Sequence, residues 1–144
     1  MESKIEKAVD AFIEGFNCAQ AIFSTYGTEL GIDRDTALKI SSGFGGGIAR
    51  MQETCGALTG AYMVVGLKYG KTLADDKVSH EKTYKIINEI TSGFKEWNKT
   101  TLCKELLGHD LNTDEGRLFI QENGLFNTVC IKCIRDAARL VEEF

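Results

Sequence analysis

The chain has 144 residues, 43% apolar and 26% charged, with a formal net charge of −4 and an acidic pI. That length suits one domain with a core able to fold unaided, and the acidic balance leaves no electrostatic footprint for nucleic acid. The N-terminus, MESKIEKAVDAF, mixes acid and base and lacks an apolar h-region, which predicts no secretory signal; the longest apolar stretch, residues 61–67, is too short to cross a bilayer. The expectation is a cytoplasmic protein, not inserted in a membrane.

There is no proline, so glycine must punctuate the helices. Ile5, Ala8, Val9, Phe12, Ile13 and Phe16 recur at helical spacing and form one buried face. Gly15-Phe16-Asn17 either interrupts this helix, with Asn17 capping a second one over 18–26, or is absorbed in an unbroken one. Gly27 and Gly31 close the segment. Asp33 is a good N-cap for 34–42, with Ala37, Leu38 and Ile40 as its apolar positions. Gly43-Phe44-Gly45-Gly46-Gly47 follows, a turn whose entropic cost implies a purpose. Close approach of two helices is one purpose. A phosphate cradle is the other, but it lacks a preceding strand and a following Lys-Ser/Thr.

Thr54 can cap a helix over 55–69, on which Gly56 and Gly60 let another backbone pack closely, within the domain or across a homodimer. A longer helix over 78–97 carries Tyr84, Ile87, Ile90, Phe94 and Trp97 as an inward stripe. Thr101 caps a short helix over 102–107 ended by Gly108. Asn112 with Glu115 reads as a capping box for 113–121. Asn127 or Thr128 starts the last helix, 129–143, with Ile131, Ile134, Ala138 and Val141 inward. No segment alternates as a strand would. The expected fold over 1–144 is a single all-α domain of six or seven helices.

Placed on these elements, Cys55 stands at the first position of its helix, Cys103 and Cys130 near the second of theirs, and Cys18 joins them if Asn17 is a cap. Helix N-termini offer unpaired N–H groups and partial positive charge, both favouring thiolate, the form that binds metal and attacks disulfides. The competing reading for any one of them is a small core hydrophobe. Cys133 lies in an apolar stretch and is assigned to packing. Cys130-Ile131-Lys132-Cys133 is a CxxC; Ile134 rules out c-type haem attachment, and neither a thioredoxin-like surround nor a second close ligand pair is present. His80 and His109 fall at or beyond helix ends and are expected to be exposed. Glu53 reads as a nearby base or a solvated carboxylate, Arg50 as a thiolate partner or a surface charge. No Ser-His-Asp, HExxH or paired-carboxylate arrangement is evident.

Asn17-Cys18-Ala19-Gln20-Ala21, then Cys55-Gly56-Ala57-Leu58-Thr59-Gly60, then Cys103-Lys104-Glu105-Leu106-Leu107-Gly108, then Cys130 ahead of Ala137-Ala138 resembles the redox-active four-cysteine family named for its C_GCAxxG_C_C pattern. The resemblance covers nearly the whole chain and implies redox activity without naming a substrate. A similar four-cysteine domain occurs in split-Soret cytochromes, where it is associated with a non-haem iron–sulfur centre. The resemblance therefore implies that Cys18, Cys55, Cys103 and Cys130 converge and ligate an iron–sulfur cluster, [2Fe–2S], for electron transfer or redox sensing with a redox partner protein. Two alternatives stand beside it. One is a dithiol oxidoreductase with Cys55 or Cys130 as nucleophile; the other is a structural zinc module on the same thiols.

Overall fold

The computed structural model describes residues 2–144. Among them the chain forms eight α-helices, a short 3-10 turn and a π turn, with no strand beyond an isolated bridge between Thr54 and Leu102. The all-α expectation holds, with eight helices where six or seven were expected. The extra element comes from the break at Gly15, whose φ of 130° ends α1 (Ile5–Glu14). Asn17 then opens α2 (Cys18–Glu29): its side chain accepts from Gln20 N at 2.9 Å, and Gln20 Oε1 accepts from Asn17 N at 3.1 Å. This reciprocal box satisfies two orphan donors and places Cys18 at the first helical position.

The central helix is α2, buried along most of its length between α1, α3, α4 and α8. Asp33 caps α3 (Arg34–Ser41) through Thr36 N at 3.1 Å, as expected, but α3 buries only Ala37 and Ser41 and leaves Ile40 half exposed. The helix α4 (Gly56–Tyr69) is capped by Cys55 rather than Thr54, which is used instead in the bridge to Leu102. A Cβ on Gly60 would stand 2.8 Å from Ala19 O, and one on Gly56 would stand 3.1 Å from Ala19 N. The small face of α4 thus lies on the backbone of α2, inside the domain.

The long helix α5 (Lys77–Asn98), capped by Asp76, buries Ile86, Ile90 and Phe94. The expected aromatic stripe is corrected there. Tyr84 is exposed and lies tilted against the His80 ring, while Trp97 lies under Arg139 at the surface. The strict i, i+4 row 86–90–94 faces α4 and α8, which turns positions 84 and 97 towards solvent. Leu102, not Thr101, precedes α6 (Cys103–Leu107), and Thr113, not Asn112, caps α7 (Asp114–Glu122). The Asn112 side chain is occupied elsewhere, donating to Arg50 O at 2.8 Å.

The last helical run starts earlier than Asn127. A π turn, Phe126–Cys130, leads without a break into α8 (Ile131–Glu142). Most of the core lies among α1, α2, α4, α5 and α8; a smaller apolar cluster gathers Cys103, Leu107, Leu111 and Ile120. No helix of the described residues is long and apolar enough to cross a membrane.

Candidate thiol site

The glycine run leads into a strap of unusual backbone. Gly46, Gly47, Ile48, Ala49 and Arg50 are consecutive left-handed residues with φ between 49° and 69°, and Gln52 follows at 56°. Left-handed conformations cost non-glycine residues on the order of 1–2 kcal/mol each, so such a strap persists only where its surroundings over-determine it. They do so here. Ala49 N, Gln52 N and Glu53 N donate back to Gly43 O, Gly46 O and Gly47 O at 2.9, 3.0 and 2.9 Å. Buried Gln52 clamps the far side, accepting from Leu111 N and donating to His109 O, both at 2.9 Å. A Cβ on Gly47 would come within 2.7 Å of Cys103 Cβ. Within the glycine run, Gly47 lays bare backbone against Cys103 and Gly45 against the Asn17 side chain.

Beyond the strap the chain pairs with the start of α6. Cys55 N donates to Thr101 O at 2.8 Å, and Cys103 N to Glu53 O at 2.7 Å. This short ladder sets Cys55 and Cys103 side by side. Cys18 enters from the first turn of α2, Cys130 from the end of the π turn and Cys133 from α8. All five thiols line one cavity of about 480 Å³. Phe12, Leu106, Leu107, Leu111, Phe126 and Val129 supply its apolar wall, and the strap supplies its glycine backbone. Cys18, Cys55, Cys103 and Cys133 are buried and Cys130 is half-buried; all five are free thiols.

Within the cavity the thiols are paired. Cys18 stands beside Cys130, and Cys133 beside Cys55. The Cys18 and Cys133 thiols rise in pKa, whereas Cys55 falls. The adjacent Cys133 pulls the Cys55 thiol below the ordinary range, helped by the N–H groups of Ala57 and Leu58 and opposed by burial. The neighbouring Cys130, burial and the other thiols push Cys18 well above it, and Cys133 is raised by the adjacent Cys55 and by burial. Burial and the neighbouring thiols push Cys103 up to about 12.

The thiolate-favouring setting expected at helix N-termini is found at Cys55, while Cys18 and Cys103 are pushed the other way. The reason is hydrogen-bond accounting. At α2 the Asn17 side chain takes Gln20 N, and at α6 Cys103 N and Lys104 N are taken by Glu53 O and Gln52 O. Cys130 lies inside a helical run, not at its opening.

Cys133, assigned to packing from its apolar neighbours, packs in the core and also faces the cavity beside Cys55. The three-residue step from Cys130 on one helical face was the available signal. Gln52, which also hydrogen-bonds the Cys103 thiol, carried no signal in the sequence. His80 and His109 are half-buried rather than exposed, His109 stacked on Phe119, and neither lines the cavity. Glu53 points to solvent and contributes its backbone; Arg50 stands at the cavity rim. Among the described residues no three His, Cys, Asp or Glu side chains are arranged, as they stand, to hold a metal ion.

The family described as "Putative redox-active protein (C_GCAxxG_C_C)" matches residues 16–144. The chain belongs to that family. Its matched segment begins just before Asn17 and contains every cavity thiol. No curated protein and no solved structure matches the chain.

Proposed function

We propose that this redox-active protein carries an iron–sulfur centre, [2Fe–2S], on Cys18, Cys55, Cys103 and Cys130, and serves in electron transfer or redox sensing. The observation that carries this reading is the cavity lining: thiols from separate parts of the chain, apolar side chains and glycine backbone, without a carboxylate or imidazole. Such a donor set suits a soft metal. A single zinc ion draws four sulfurs to about 2.3 Å and leaves no room inside its shell. A cavity of about 480 Å³ favours a multi-atom centre instead. The smallest one that four thiolates complete is [2Fe–2S].

Thiols that burial and mutual repulsion keep protonated release their protons when a cation arrives, so occupancy of this site is linked to pH. The bound centre would supply one-electron chemistry, at a potential set by burial and hydrogen bonds to its sulfurs. Here those donors are the N–H groups of Ala57 and Leu58 at Cys55, the Gln52 side chain at Cys103 and the Cys133 thiol at Cys55. A redox partner protein would approach across the exposed rim residues Ala49 and Arg50.

Protein purified without oxygen, from cells able to build clusters, is expected to absorb in the visible and to contain iron and acid-labile sulfide. Cys→Ser at 18, 55, 103 or 130 should each weaken that absorbance. Colourless, iron-free protein overturns the proposal.

A further inference from the structure

Four of the five cavity thiols are buried, so whatever comes to fill the cavity has to pass one of its walls. Most of the wall belongs to the main core: Phe12 from α1, Cys18 from α2, Cys55 at the start of α4 and Cys133 from α8. One stretch does not. Leu107 and Leu111 line the cavity from the smaller apolar cluster, which they form with Cys103 and Ile120. Neither α6 nor α7 packs broadly on another helix.

Residues 109–123 are built as one piece. Thr113 caps α7 through Gly116 N at 3.0 Å, and a Cβ on Gly116 would run into Asp110 O, so the loop lies on the first turn of the helix. Gly108 and Gly124 flank the piece. Both are left-handed, with φ of 71° and 62°, and neither has an atom within 4 Å of where a Cβ would stand. Among the described residues, the side-chain hydrogen bonds that hold the piece down all go to the strap. Leu111 N donates to Gln52 Oε1 and Gln52 Nε2 to His109 O, both at 2.9 Å, and Asn112 Nδ2 donates to Arg50 O at 2.8 Å.

We propose that residues 109–123 are the lid of the thiol cavity, hinged at Gly108 and Gly124 and latched to the strap by Gln52 and Asn112. A segment held by a small apolar cluster and a few hydrogen bonds opens at lower cost than the core. Opening withdraws Leu111 from the cavity wall and uncovers Cys103, while α1, α2, α4, α5 and α8 stay packed. The proposal rests on the reading that the cavity takes an occupant, and gives that occupant its way in.

The test uses the full chain, metal-free and reduced. Alkylation by iodoacetamide is followed at each cysteine by peptide mapping, and exchange of the Leu111 N–H in parallel. Asn112→Ala removes one latch bond from an exposed side chain outside the cavity lining. Cys103 labelling and Leu111 exchange should rise together, about two- to tenfold for one lost hydrogen bond, with Cys133 labelling unchanged. Glu142→Gln loosens the ties to Lys4 and Tyr26, also outside the lining, and should leave the Cys103 rate as it is. A Cys103 rate that ignores Asn112→Ala overturns the lid. So does one that rises in Glu142→Gln, because the thiol is then reached by global unfolding. Iron is assayed on a separate anaerobic sample, so failure of the lid and failure of the cluster reading are read independently.

Discussion

Cys133 shows how a side chain assigned to packing can bear on a neighbouring thiol. It stands beside Cys55 in the cavity, and where Cys55 holds the proposed cluster an S–H donor there would stabilise its more negative, reduced state. Cys133→Ala is therefore expected to retain iron and visible absorbance but to lower the midpoint potential in a redox titration. Cys133→Ser, which keeps a donor, should stay close to the parent. If both variants lose iron alike, Cys133 is a ligand rather than a donor. Gln52 works by similar means on another scale: one buried amide ties the strap to Leu111 and His109 and reaches the Cys103 thiol. Neither role can be read from residue type, because each depends on what stands opposite the side chain.

At the scale of elements, the α2–α4 contact decides where Cys18 and Cys55 meet. Gly60 lies against Ala19 O, and Gly56 against the backbone nitrogen of Ala19 and the Cβ of Cys18. Intrinsic propensity favours alanine over glycine inside a helix by about 1 kcal/mol. Overpacking costs about 1–3 kcal/mol and wins where a Cβ would meet backbone that cannot move aside. The outcome should differ in sign along one helix. Gly60→Ala is expected to lower the urea midpoint and Gly60→Leu to lower it further, whereas Gly66→Ala, with no atom within 4 Å of its Cβ, should raise it. Equal shifts at 60 and 66 would discard the close-packing account. The pairing of these glycines was legible in the sequence; which backbone they meet was not.

Across the whole molecule, the C-terminal helix holds the N-terminus. Glu142 Oε2 accepts from Tyr26 Oη at 2.5 Å, Lys4 N at 2.8 Å and Ser3 Oγ at 3.3 Å, while Arg135 pairs with Glu6 at 2.9 Å. Burial alone would raise the Glu142 carboxyl, but these hydrogen bonds outweigh it and hold the group below the usual glutamate range. A depressed folded-state pKa means the unfolded chain binds the proton first as pH falls. The contribution is therefore complete above the ordinary glutamate pKa, near 4.3, and is lost as pH drops through the folded value. Thermal melts between pH 7 and pH 3 should show Glu142→Gln less stable than the parent at neutral pH, with the gap closing in acid. A gap that persists unchanged at pH 3 would assign the loss to packing.

The sequence by itself determined the helical class, the Asp33 cap and the family pattern, and left the Asn17 cap as one of two readings. Those features are local: periodicity, a capping side chain and residue identity need no partner from elsewhere in the chain. Tertiary structure decided the rest. It turned Tyr84 and Trp97 outward because the row through Ile86, Ile90 and Phe94 faces α4 and α8. It made the glycine run a left-handed strap beside Cys103, and tied Gln20 N to Asn17 and the first N–H groups of α6 to Glu53 and Gln52. The packing of α8 on α4 brought Cys133 beside Cys55. A thiol's chemistry is set by the donors and charges within a few ångströms of its sulfur, and in this chain those come from residues distant in sequence.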